Sequence, residues 1–332
     1  MTKMTERLNV LYLPHPVIPD TSDPEMIRIL EDALGGRHNF FIFDPDQPIA
    51  PQFAEIDFVI DVGGSVGTRE MVDAAAHRCR MWQIMGTGIE AFDMDYWRSK
   101  NIPVCNCPGP FSAVALSECA MMFILMLTRR YNDVKANLVK GVMYMPFGFE
   151  LDGLKLGIVG LGASGTELAQ RAMSFGMKIL AIDIRDIGND EVEKYGIEFH
   201  GKPDQLDKVI SECDVLSVHL HLTDETRHII DQRRLDLMKP TSYLINVARG
   251  ALVDEDALLT SLQEGKIAGA GIDAYGQEPL DPSGPLFKLP NVITTNHISG
   301  ATDGTWRKRS ECSAENVDRI AAGLEPLYRV DK

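Results

Sequence analysis

"LGIVGLGASGTELAQRAMSFGMKILAIDIR", residues 156–185, is the stretch that decides the fold. An apolar β-type run ends in Gly160. Gly162 and Gly165 complete a G-x-G-x-x-G pattern that opens an amphipathic helix, and a second apolar run ends in Asp183. The first glycine makes a tight turn, and the second lets the backbone approach a pyrophosphate. The third permits close packing of helix on strand, and the helix N-terminus attracts the phosphates. The Asp183 carboxylate can accept from both ribose hydroxyls of an adenosine and would repel a 2′-phosphate, which favours NAD over NADP. A glycine-rich turn with Asp183 as a helix cap is the bland alternative. Strand, helix and acidic residue in this order favour the dinucleotide site.

Outward from this unit, strand-like and helix-like segments alternate. Towards the C-terminus, strands are expected at "DVLSVHL", "SYLINVA", "IAGAGIDA" and "NVITTNH", and a final amphipathic helix over about 301–323. Towards the N-terminus, strands are expected at 8–14, 39–44, 56–62, 80–86 and 102–107, with helices at 23–35, 68–78 and 93–101. Repeated strand–helix units of this length imply parallel sheets covered on both faces. Pro108, Gly109 and Pro110 break the chain before a long apolar helix, and Gly300 breaks it again after the last strand. The expectation is α/β, with two doubly wound parallel-sheet domains: residues 1–110 with 300–332, and residues 111–299.

Composition sets the bounds. The chain has 332 residues, 45% hydrophobic and 24% charged, which suits a soluble two-domain protein. A net charge of −15 excludes a nucleic-acid partner on electrostatic grounds, but leaves room for a local basic pocket taking a small anion. The start shows no signal-peptide pattern, and the longest apolar run, "CAMMFILML" (119–127), is too short to span a bilayer. The six cysteines fit no zinc spacing; free buried thiols, no metal and a cytoplasmic location are expected. The helix from Ser112 to Leu127 is apolar almost all round, so a homodimer that buries it is expected.

Three strands of the second series finish in residues of catalytic type: Arg249 after "YLINVA", Glu278 after "IAGAGIDAYGQ" and His297 after "NVITTN". In open α/β sheets, ligands bind outside the carboxyl ends of strands. An acid, a base and a cation there can carry proton transfer beside a bound anion. Each residue alone has a plainer reading, as an ion pair, a satisfied histidine or a turn.

Together, "GLGASG…AID", "INVARGALVDEDAL", "GIDAYGQEPL" and "NVITTNHISGAT" resemble the D-isomer-specific 2-hydroxyacid dehydrogenases, the group with phosphoglycerate dehydrogenase and glyoxylate/hydroxypyruvate reductases. "GTGIEAFDMDYWRSKNIPVCNCPGPFSAVALSE" in the first half agrees, so the resemblance covers nearly the whole chain. It implies a Rossmann NAD-binding domain inserted into a flavodoxin-like substrate domain. It implies an NAD-dependent enzyme that interconverts a D-2-hydroxy acid and its 2-keto acid. Arg249 would hold the substrate carboxylate, His297 would act as acid/base, and Glu278 would orient His297. Gly160, Gly162, Ala163, Ser164, Gly165, Asp183, Val247, Ala248, Arg249, Asp273 and His297 would meet the cofactor, with Asp273 at the nicotinamide carboxamide. Gly64, Thr87, Gly88 and Arg249 would meet the substrate.

The sequence departs from the family pattern at Asn296 and His221, where proline is common, and at Ala163-Ser164, where Arg-Ile is frequent. None of these is a catalytic position. The related formate dehydrogenase type pairs its histidine with glutamine, against Glu278 here. An NAD-sensing corepressor or scaffold on the same fold is the alternative from another class, since it can keep the same three residues. No basic cluster marks a phosphate pocket, which leans towards small unphosphorylated acids such as glyoxylate or hydroxypyruvate.

Overall fold

The structure, a computed structural model, describes residues 6–15, 22–62, 67–89 and 92–332. The chain divides into two compact units, residues 1–111 with 302–332 and residues 112–301.

The first unit carries five strands: β1 (Asn9–Leu13), β2 (Asn39–Ile42), β3 (Phe58–Asp61), β4 (Met81–Ile84) and β5 (Val104–Cys105). All pair in parallel, in the order β2-β1-β3-β4-β5. Alternation along β1 splits the core in two. Val10 and Tyr12 face one layer, with Ile27, Leu30, Leu34, Trp306, Val317 and Ile320. Leu11 and Leu13 face the other, with Phe53, Val72, Trp82 and Trp97. The helix Pro24–Leu34 starts where Asp23 accepts from the Glu25 N–H at 2.7 Å, and stops at Gly35 in the left-handed region. The helix Asp303–Ala321 belongs to this unit, and its Trp306 indole donates to the Met26 carbonyl at 2.8 Å.

The expected strand over 102–107 shortens to Val104–Cys105. Pro103 has no N–H to give, and the next amides turn away from the ladder: Asn106 to the Tyr328 carbonyl and Cys107 to that of Gly86. Cys107 therefore lies beyond the strand that holds Cys105.

The second unit carries seven strands: β6 (Lys155–Val159), β7 (Lys178–Ile182), β8 (Ile197–Gly201), β9 (Val215–Val218), β10 (Tyr243–Asn246), β11 (Gly269–Ile272) and β12 (Val292–Thr294). They are parallel throughout, in the order β12-β11-β10-β9-β6-β7-β8. The chain direction across the sheet reverses between β6 and β9, so the crevice at their carboxyl ends is the switch point where ligands bind in such sheets. β8 was not expected. Its sequence, IEFHG, alternates buried and solvent-facing residues at the sheet edge and lacks the apolar run of the central strands.

The long apolar helix is Ala113–Thr128. It packs on the helix Ala163–Ser174 and on β10, β11 and β12, within its own unit. Only Glu118 and Met122 of its residues are exposed. Most of the exposed apolar side chains of this unit lie over residues 131–149, among them Leu138, Val139, Tyr144 and Phe147. No helix of the described residues is long and apolar enough to cross a membrane. All six cysteines are free thiols, and burial pushes Cys79, Cys105, Cys119 and Cys213 up to about 12.

Candidate active site

The loop after β6 is built for close approach. Gly160 has φ +96°, and a β-carbon on it would lie 2.5 Å from the His219 carbonyl oxygen. A β-carbon on Gly165 would overlap the Gly160 carbonyl. These two glycines are demanded by the protein's own packing. Gly162 is different: nothing of the protein lies within 4 Å of where its β-carbon would be. The helix Ala163–Ser174 starts at Gly162, and no side chain caps its N-terminus. Open space at Gly162 beside uncapped amide donors is what a pyrophosphate needs, so the residues present fit a dinucleotide.

Asp183, just past β7, fixes this loop. Its carboxylate accepts from the Leu161 N–H at 2.7 Å and the Arg185 N–H at 2.9 Å. The Arg185 guanidinium is held by both Glu191 oxygens, at 2.7 and 2.8 Å, and by the Leu161 carbonyl. That engagement leaves it committed within the protein rather than waiting for a 2′-phosphate. The Arg185 hydrogen bonds hold the Glu191 carboxyl below its usual range, against the opposing pull of burial.

Asn246 ends β10 and shapes the next turn. Its side-chain oxygen accepts from the Ala248 N–H at 3.1 Å, and its side-chain nitrogen donates to the Arg249 carbonyl at 2.9 Å. Val247 and Ala248 are buried, and Arg249 emerges half-buried with Nη1 on the Ala248 carbonyl at 2.9 Å.

The loops after β11 and β12 bring Glu278 and His297 together. His297 Nδ1 lies 2.7 Å from Glu278 Oε2 and 2.9 Å from Oε1. This assigns the Nδ1 proton to the carboxylate side and leaves Nε2 for a ligand. The hydrogen bond to Glu278 raises the His297 pKa above the usual imidazole value; burial and the Arg249 charge oppose it, and the Glu278 and Asp273 charges add to it. Burial pushes Glu278 up, but bonds from His297 and the Tyr275 amide, with the charges of His297 and Arg249, leave it below the ordinary carboxylate range. Both side chains are about 40% exposed, 42% for His297 and 38% for Glu278, so solvent screens part of this coupling.

Asp273 lies fully buried at the end of β11 and holds the histidine's loop. Its carboxylate accepts from Thr295 Oγ1 at 2.6 Å, the Ile298 N–H at 2.8 Å and the Ser299 N–H at 2.9 Å. His297 stands between those contacts with φ +58°, a conformation that non-glycine residues rarely adopt and that these bonds sustain. The Tyr275 hydroxyl, donating to the Thr295 carbonyl, adds a second tether. Sequence reasoning missed these tethers, and also His219, whose ring lies between Ser217 and Ser164.

Arg249, Glu278, His297 and Asp273 thus lie at the carboxyl ends of adjacent strands of one sheet, with Gly160, Gly162, Ala163, Ser164, Gly165 and Asp183 on the same edge at β6 and β7. Thr87 and Gly88 belong to the other unit, on the loop after β4, where Asn106 donates to the Thr87 carbonyl at 2.7 Å. Gly64 lies outside the described residues. No group of three or more His, Cys, Asp or Glu that could hold a metal occurs among the described residues.

Comparison with known proteins gives a consistent picture. Residues 121–299 match the family model described as D-isomer specific 2-hydroxyacid dehydrogenase, NAD binding domain. A glyoxylate reductase of Thermofilum pendens is 36% identical over 269 residues, 79% of this chain and 78% of that protein. A glyoxylate/hydroxypyruvate reductase B of Pectobacterium carotovorum is 33% identical over 279 residues, 82% of this chain and 85% of that protein. Among solved structures, D-lactate dehydrogenase from Aquifex aeolicus complexed with NAD and lactic acid superposes with a TM-score of 0.77 at 28% identity, covering 95% of this chain and 96% of that one.

Proposed function

The chain belongs to the D-isomer-specific 2-hydroxyacid dehydrogenases, and from that premise we propose that Arg249, Glu278 and His297 catalyse NAD-dependent interconversion of a D-2-hydroxy acid and its 2-keto acid. The observation that carries this reading is the His297–Glu278 pair within the electrostatic reach of Arg249. Arg249 holds the substrate carboxylate through its planar fork of donors and polarises the reacting oxygen. His297 Nε2 faces the reacting hydroxyl or carbonyl. In oxidation the neutral ring takes the hydroxyl proton; in reduction the protonated ring returns it. Glu278 fixes the tautomer and stabilises the imidazolium. When bound, NAD supplies the hydride acceptor or donor. Asp273 keeps the His297 loop in place and has acceptor capacity left for the nicotinamide carboxamide. Val247 and Ala248 border the same ligand. Gly64, Thr87 and Gly88 would supply backbone donors to the carboxylate.

The substrate class is a small unphosphorylated 2-keto acid, glyoxylate or hydroxypyruvate. Support comes from the names of the relatives above and from the absence of a basic cluster in the sequence near the expected substrate loops. Residues 1–111 with 302–332 serve as the substrate domain, and residues 112–301 as the cofactor domain. The exposed apolar side chains of residues 131–149 are a surface for a second copy of the chain, which makes the working form a homodimer. Six free thiols suit a cytoplasmic location.

A panel of 2-keto acids with NADH tests the reading. Glyoxylate and hydroxypyruvate should turn over with the highest kcat/KM. NADH binding without turnover of any 2-keto acid would instead mark an NAD-sensing binder.

A further inference from the structure

A three-residue relay ends β9. Ser217 Oγ lies 2.9 Å from His219 Nε2, and His219 Nδ1 lies 3.0 Å from Ser164 Oγ. The backbone on either side is close-packed, since the His219 N–H donates to the Val159 carbonyl at 2.8 Å and the His219 carbonyl lies where a β-carbon on Gly160 would meet it. Ser164 is the second residue of the helix Ala163–Ser174, at the uncapped N-terminus. Burial pushes the His219 pKa down to about 4, so the ring is neutral at ordinary pH.

A neutral imidazole offers one donor and one acceptor, and the two tautomers have opposite consequences here. If Nδ1 accepts, Ser164 uses its proton on the ring and turns only lone pairs towards the helix N-terminus, where they repel an anion. If Ser217 donates to Nε2, Nδ1–H donates to Ser164 Oγ and the Ser164 proton is free to reach a phosphate oxygen. A chain of donors running one way also polarises each successive bond.

We propose that His219 is a positioning residue for the cofactor's pyrophosphate: bound between Ser217 and Ser164, it sets the Ser164 hydroxyl as a directed donor to a phosphate oxygen. The proposal rests on the NAD-site reading of Gly160–Gly165. Pyrophosphate binding selects the Nδ1–H tautomer, and the relay does the phosphate-facing work that a longer side chain could do in its place.

The test is calorimetric titration of the full chain with NADH, with ADP-ribose, which keeps the pyrophosphate, and with adenosine, which lacks it. Ser164→Ala should weaken NADH and ADP-ribose by about tenfold, the effect of one hydrogen bond to a charged group, and leave adenosine unchanged. His219→Leu, which has neither donor nor acceptor, should give the same selective loss, and the double variant should bind no worse than Ser164→Ala alone, because the histidine acts through the serine. Nitrogen-15 NMR of the wild-type ring should show the Nδ1–H form rising when ADP-ribose is added. Should His219→Leu fail to fold, Ser217→Ala keeps the ring while removing its far anchor, and should weaken ADP-ribose but not adenosine. Losses that multiply in the double variant, adenosine weakening in step with ADP-ribose, or unchanged ADP-ribose binding in Ser164→Ala would each overturn the relay. Wild-type protein that binds neither NADH nor ADP-ribose would overturn the NAD reading itself.

Discussion

Gly250 packs so closely on the backbone of Tyr275 that a β-carbon at position 250 would overlap the Tyr275 carbonyl. Gly250 directly follows Arg249, and Tyr275 donates its amide to Glu278 at 3.0 Å. The contact therefore sets the guanidinium loop against the carboxylate loop, backbone to backbone, with no side chain to absorb a change.

Gly250→Ala should accordingly separate the two loops. Stability should fall by about 1–3 kcal/mol, as in other overpacked cores, on urea unfolding. Turnover should fall with it, kcat and KM both changing. A variant with wild-type unfolding and wild-type kcat/KM would show that the contact is not rigid.

Replacing Arg249 with Ala should raise KM for the keto acid and lower kcat, with kcat/KM down at least about 100-fold, or ~2.7 kcal/mol. Lys should rescue only part, because an ammonium cannot reproduce the bidentate fork. NADH affinity should change little. Collapse of NADH binding with an unchanged keto-acid KM would make Arg249 a cofactor residue instead.

The pH dependence follows from the raised His297 pKa. Reduction needs the protonated ring, so kcat/KM for the keto acid should be high below that raised value and fall as pH climbs through it. Oxidation needs the neutral ring and should rise over the same interval. Glu278→Gln removes the charge that stabilises the imidazolium, so both limbs should move to lower pH. Lost orientation alone would lower the plateaus and leave both limbs in place, which is how the two effects are told apart.

Cofactor choice depends on Asp183 and on the engaged state of Arg185. NADH should exceed NADPH in kcat/KM by at least about 100-fold, or ~2.7 kcal/mol. Asp183→Ser should narrow the gap from both sides, because the carboxylate also anchors the Leu161 and Arg185 amides and NADH binding should suffer. Comparable turnover with NADPH in the wild type would refute the assignment.

Assembly is the fifth expectation. Light scattering should give twice the chain mass. Tyr144→Glu combined with Phe147→Glu should give the monomer, because these side chains are 88% and 80% exposed in one chain. A monomer mass at all concentrations in the wild type would remove this surface as a dimer contact.

What was legible in the sequence was local. The glycine spacing at 160, 162 and 165 carries its own geometry, and Arg249, Glu278 and His297 each announce a strand end. Partnerships across the sheet were not legible. Asp273 reaches Ile298 and Ser299 only because β11 and β12 are neighbours, and His219 reaches Ser164 only because β9 returns beside β6. The edge strand β8 was missed because Glu198 and His200 break the apolar run. The neighbouring helix and the three strands against which the all-round apolar helix packs within its own unit were likewise not legible from its sequence alone.

The discontinuous first unit has a consequence for biosynthesis. One face of its five-stranded sheet is covered by residues up to about 104, whereas the other needs Trp306, Ala314, Val317 and Ile320 from the helix Asp303–Ala321. A ribosome must first make all of residues 112–301. At about 5–20 residues per second that leaves this face covered only by the helix Pro24–Leu34 for ~10–40 s. Nascent chains stalled just before residue 303 should therefore expose that apolar face to chaperones, while the second unit, contiguous in sequence, can already close on itself.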